Sequence, residues 1–102
     1  MPTTELLLLV EDEALLSDVL KNTLLDAGFE VTVTGDGTKA LVELETDATR
    51  FRAVITDIKI GHHPDGWQVG RRARELVHDM PIVYIAATAP PTGRRRVCRT
   101  AS

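Results

Sequence analysis

The sequence predicts an α/β domain on a parallel β-sheet, with an acidic site at the strands' C-terminal ends. Three observations predict it. Leu6-Leu7-Leu8-Leu9-Val10 and Ala53-Val54-Ile55-Thr56 are largely apolar runs, the pattern of strands buried on both faces. Segments with apolar residues three and four apart separate such runs and read as helices. Each run ends in carboxylate, Glu11-Asp12 after the first and Asp57 after the second. Open α/β sheets bind ligands in the crevice at that end.

Leu6–Val10 is strand one. Glu13 to about Ala27 is a helix, with Leu15, Leu16, Val19, Leu20, Leu24 and Ala27 at helical spacing and an acidic residue at its positive end. Gly28 stops it. Phe29-Glu30-Val31-Thr32-Val33-Thr34 alternates apolar and polar, which suits a half-buried edge strand. Gly35-Asp36-Gly37-Thr38 is a turn and helix cap, too short to cradle a phosphate. The second helix runs to about Asp47 and buries Ala40, Leu41 and Leu44. Phe51–Thr56 is strand three, terminated by Asp57. Ile58–Asp65, with Gly61 and Pro64, is a loop.

The third helix spans about Gly66 to His78, with Val69, Ala73, Leu76 and Val77 inward and Trp67 packing its start. After Pro81, Ile82–Ala87 is strand four. Strict alternation of strand and helix implies right-handed crossovers and a parallel sheet. From Pro90 onward apolar periodicity stops and coil is expected. Strand four is apolar on both faces, so its outer edge invites pairing with another chain. Pairing of two copies along strand four is therefore the expected route to a homodimer.

The chain has 102 residues, 43% hydrophobic and 26% charged, with one cysteine. That is one globular domain, residues 1–89, followed by an irregular arginine-rich tail, 90–102. No apolar stretch approaches the ~20 residues of a membrane span. The N-terminus lacks the basic region of a signal peptide. A cytoplasmic setting without membrane contact is expected, since Cys98 cannot form an intrachain disulfide. Residues 1–89 carry eight basic against fifteen acidic side chains, a formal −7, and the tail adds Arg94, Arg95, Arg96 and Arg99. The tail reads as solvated rather than as a nucleic-acid site. His62-His63 has no third ligand at useful spacing and reads as loop.

Strands one and three deliver Glu11, Asp12 and Asp57 to one rim. Like charges held that close repel one another unless a cation sits among them. A small oxygen site suits Mg²⁺.

Val10-Glu11-Asp12-Glu13, then Thr56-Asp57, then Pro64-Asp65-Gly66, at these intervals, resembles the receiver domain of two-component response regulators over residues 5–87. The resemblance implies a flavodoxin-like (CheY-like) doubly wound sheet in the order 2-1-3-4, with strand five and the last helix missing. It implies Asp57 as phosphoacceptor and Glu11, Asp12, Asp57 and the backbone carbonyl of Lys59 as Mg²⁺ ligands. Asp65 and Gly66 would shape the loop into the third helix. It also implies a bacterial phosphorelay protein, not an enzyme beyond its own phosphorylation and dephosphorylation. Its partners would be a histidine kinase or phosphotransfer protein and a downstream protein.

Two departures qualify the match. Receivers place Ser or Thr at the end of strand four, where this chain has Ala86; Thr88, two residues on, is the fallback. The lysine that receivers carry at the end of strand five has no counterpart, and the tail's arginines are poor substitutes for a positioned ammonium. With one permissible set of codons, adding one nucleotide ahead of residues 87–101 gives G-D-S-A-A-D-W-A-S-K-G-V-P-N-S. That resembles how some bacterial receivers continue. A frameshift after strand four is thus the expected origin of the tail. The competing reading is a switch-dead module that binds its partner, or a second copy, without phosphorylation. A phosphatase using Asp12 as nucleophile would need a second Asp at position 14, which is Ala14.

Overall fold

A computed structural model describes residues 4–58, 64–87 and 95–100, with 86–87 and 95–100 as backbone only. The element order is β1 (Leu6–Val10), α1 (Ala14–Asp26), β2 (Glu30–Thr34), α2 (Gly37–Asp47), a 3₁₀ turn (Ala48–Arg50), β3 (Phe51–Asp57), α3 (Gly66–Leu76), β4 (Ile82–Ala87) and β5 (Arg95–Thr100). The sheet order is β2-β1-β3-β4-β5. β1, β2, β3 and β4 are parallel to one another, as expected of a flavodoxin-like sheet.

β1 sits inside the sheet, between β2 and β3, because all its side chains bar Leu6 can be buried: Leu7, Leu8, Leu9 and Val10 are 4% exposed or less. One face carries the main core. Leu8, Val10, Val54, Ile82 and Tyr84 from the sheet meet Ala40 and Leu44 of α2 and Val69 and Ala73 of α3. Each fully buried aliphatic side chain contributes about 1.5–3 kcal/mol. Asp36 caps α2 through its carboxylate, which accepts from the Lys39 amide at 2.8 Å. Gly28 adopts φ +97°, the left-handed conformation that ends α1.

The other face is thinner. α1 packs over β1 and β2 with Leu16, Leu20 and Leu24 half-buried, whereas Leu15 and Val19 remain 77% and 61% exposed. The helical spacing located α1 correctly but overstated how much of it is buried. α3 likewise ends at Leu76, which is exposed, two residues short of His78. The 3₁₀ turn before β3 was not expected. It forms because the Asp47 carboxylate accepts from the Thr49 amide at 3.1 Å.

The tail differs most from expectation. Among the described residues no parallel strand follows β4, but Arg95–Thr100 is not coil. It runs antiparallel to β4, with Ile82 opposite Thr100 and Ala87 opposite Arg95. The reason is the free edge of β4. A row of unpaired backbone donors and acceptors beside an apolar strand is costly, and the chain's own continuation pairs with it. The expected dimer through a bare strand four therefore loses its premise, because β5 occupies that edge. Cys98, expected in coil, lies in β5 opposite Tyr84 in register.

Candidate metal centre

Three carboxylates converge at the C-terminal ends of two adjacent strands. β1 and β3 pair in register from Leu7 with Ala53 to Val10 with Thr56. The next residue on each strand, Glu11 and Asp57, therefore emerges side by side. One carboxylate oxygen from each of Glu11, Asp12 and Asp57 lies within 4.8 Å of the others. Glu11 and Asp57 are each 2% exposed, while Asp12 faces solvent.

Backbone bonds hold the rim. The Glu11 amide donates to the Thr34 carbonyl at 3.1 Å, extending the β1–β2 ladder past Val10. The Glu11 carboxylate accepts from the Glu13 amide at 3.0 Å, which anchors it at the entrance to α1. Beside Asp57, the Ile58 amide donates to the Ile85 carbonyl at 3.0 Å, and the Gly66 amide donates to the Ile58 carbonyl at 2.9 Å. The buried Thr56 hydroxyl donates to the Asp57 carbonyl at 3.0 Å.

Gly66 is required here. A Cβ at that position would overlap the Asp57 carbonyl oxygen and the Cα of Ile58. Its absence lets α3 begin against the backbone of Asp57. Asp65 then caps α3, accepting from the Gln68 amide at 3.1 Å while Gln68 Oε1 accepts from the Asp65 amide at 2.8 Å. That reciprocal pair is a capping box. The sequence placed Asp65 and Gly66 at the loop; the contact with Asp57 depends on the crossover from β3 and was not legible in it.

The donor set fits a hard cation. In octahedral coordination at 2.0–2.1 Å, trans oxygens stand about 4.2 Å apart. Three ligands include at most one trans pair and the others stand about 2.9 Å apart, so the oxygens, all within 4.8 Å of one another, would draw inward onto the ion. Three carboxylates without sulfur or imidazole also match Mg²⁺ better than a softer metal. Lys59 and Thr88 lie outside the described residues, as do His62 and His63. Trp67 packs the start of α3 as expected, with its ring on Tyr84 of β4, and about half of it remains exposed.

A cavity of about 420 Å³ opens at the opposite end of the strands, lined by Glu5, Arg50, Phe51, Arg52, Val77 and Met80 among others. Its arginines are already engaged, Arg50 with Glu43 at 2.7 Å and Arg52 with Glu5 at 3.3 Å. It has no part in the acidic site. No helix among the described residues is long and apolar enough to cross a membrane.

Comparison with known proteins points the same way. No curated protein sequence matches the chain significantly. Solved structures do. A response regulator receiver protein from Sinorhizobium medicae is 45% identical, with TM-score 0.80, over 87% of this chain and 71% of that one. The response regulator TrrA of Thermotoga maritima, solved in complex with Mg(2+)-BeF, is 26% identical, with TM-score 0.75, over 84% of this chain and 72% of that one. The chemotaxis protein CheY4 of Vibrio cholerae is 25% identical, with TM-score 0.74, over 88% of this chain and 74% of that one. The model of the response regulator receiver domain matches residues 7–100, nearly the whole chain, tail strand included. With its parallel sheet order and its rim of carboxylates, the chain belongs to the response regulator receiver domain family.

Proposed function

We propose that this receiver domain is a phosphoacceptor module of a two-component phosphorelay, modified on Asp57. The observation that carries the reading is the convergence of Glu11, Asp12 and Asp57 within 4.8 Å, two of them buried. A carboxylate oxygen of Asp57 attacks the phosphorus of a phosphohistidine on a histidine kinase or phosphotransfer protein. An acyl phosphate forms, the phosphorus–nitrogen bond breaks, and the imidazole leaves with the electron pair. Glu11, Asp12 and Asp57 would hold Mg²⁺, with the Lys59 carbonyl completing the protein ligands. The ion supplies charge neutralisation for the phosphoryl oxygens. The Mg(2+)-BeF complex of the Thermotoga relative supports this choice of metal.

The burial of Glu11 and Asp57 keeps bulk water from screening the cation's field at the point of transfer. The added negative charge then biases a surface that a downstream protein reads. The work is signalling rather than turnover of a substrate, and it belongs in the cytoplasm, where such donors act. The test is incubation with acetyl phosphate with and without Mg²⁺, read by intact mass. One phosphoryl group should add in Mg²⁺ and be lost in Asp57→Ala. No incorporation under either condition counts against the reading.

A further inference from the structure

Trp67 is the chain's one tryptophan, and it stands one residue beyond the glycine that touches Asp57. Gly66 seats the first turn of α3 on the Asp57 carbonyl, with no room for a side chain between them. The capping box ties Asp65 to Gln68 at both ends, so that turn moves as a unit. The Trp67 ring packs on Tyr84 of β4, with centroids 4.4 Å apart and planes at 46°. Tyr84 is held in turn. Its hydroxyl oxygen lies against Gly70, where a Cβ would collide with it, so the ring is clasped between the first and second turns of α3. β4 is tied to the same place from the other side, since Asp57 pairs with Ile85 and the Ile58 amide donates to the Ile85 carbonyl. Both partners of the stack are thus one backbone step from Asp57, one through the helix and one through the sheet.

We propose that the Trp67–Tyr84 stack is the surface readout of the state of Asp57. The ladder bonds on both edges of β4 hold Tyr84 in place, whereas α3 meets the end of β3 at its first residue, through the Gly66 amide on the Ile58 carbonyl and the seat of Gly66 on Asp57, and otherwise packs on the sheet through side chains. A change of charge at Asp57 displaces the seat of α3 more than it displaces β4, and the mismatch appears where the two elements touch. Trp67 is about half exposed, so the displacement changes what a partner meets at the surface. An amphipathic ring at such a site is a common binding anchor. This route needs neither a hydroxyl at position 86 nor a lysine on a fifth strand. It rests on Asp57 being the acceptor.

Emission of Trp67 tests it in the full chain. With Mg²⁺ present, acetyl phosphate should change the emission intensity and its quenching by iodide, in step with the gain of one phosphoryl group measured by intact mass. The change should vanish in Asp57→Ala. In Tyr84→Leu phosphoryl gain should persist while the emission change is lost. Iodide quenching of the unaltered protein keeps the question answerable if Tyr84→Leu does not fold. Phosphoryl gain with unchanged emission and quenching overturns the readout and leaves the phosphoacceptor reading intact. Absence of phosphoryl gain overturns both.

Discussion

Neutralising Asp57 should stabilise the metal-free protein and abolish its stabilisation by Mg²⁺. Glu11 and Asp57 are both 2% exposed, and their nearest ligand atoms lie within 4.8 Å. Two like charges at that distance repel by about 3.5 kcal/mol at an effective dielectric near 20. Asp12 is exposed, so water reduces its repulsion with Asp57 to roughly 1 kcal/mol or less. Asp57→Asn removes both terms. It also weakens the polar contacts that Asp57 makes, at a cost of about 1–2 kcal/mol. The net expectation is a gain of about 2.5 kcal/mol, or roughly 10–20 °C in melting temperature for a domain of this size. The assay is thermal unfolding by circular dichroism in EDTA and again in Mg²⁺. At 100 times its dissociation constant, Mg²⁺ should add about 2.7 kcal/mol to the unaltered protein and little to the variant, closing or reversing the gap. A variant that melts at or below the unaltered protein in EDTA refutes the electrostatic argument. So does an equal shift of both proteins by Mg²⁺.

Three further outcomes follow from the packing. Gly66→Ala drives a methyl into the Asp57 carbonyl and the Ile58 backbone and should cost about 1–3 kcal/mol in urea unfolding; unchanged stability would mean that α3 does not rest on that carbonyl. Leu44→Ala, at a site 1% exposed, should cost about 2–5 kcal/mol, whereas Val19→Ser, at one 61% exposed, should stay within about 0.5 kcal/mol; similar losses would show that α1's outer face is covered in solution. Burial raises the Tyr84 phenol above its ordinary 10.0, against the pull of Arg74 and Arg71. Because the folded value is the higher one, this contribution to stability is complete below pH 10 and is lost as pH rises through the folded value. Tyr84 is the one tyrosine, so its phenolate absorbance should appear later in the folded than in the urea-unfolded protein; coincident titrations would contradict its burial.

Most of the fold was legible in the residues themselves. The unbroken apolar run of β1 demanded burial on both faces, and the alternation of Glu30–Thr34 fitted an edge. Asp36 announced a helix start because a short carboxylate reaches the backbone amides two or three residues on. The rim of carboxylates followed from the same runs, since in parallel strands what ends each run shares one end of the sheet. These are local effects, governed by a few neighbouring side chains and the period of the backbone.

What the sequence left open depends on elements distant along the chain. Leu15 and Val19 carry the apolar spacing of a buried face, yet no described element lies over them, and spacing alone says nothing about what arrives from elsewhere. Arg95–Thr100 has little strand character of its own; the free edge of β4 makes it a strand, through backbone pairing indifferent to side-chain type. The tight seat of Gly66 on Asp57, and of Gly70 on the Tyr84 hydroxyl, required the crossover that lays α3 along the sheet. Local pattern fixed which residues are acidic, apolar or capping. Only tertiary packing decided which of them touch, because that depends on distances between segments that nothing in the local sequence encodes.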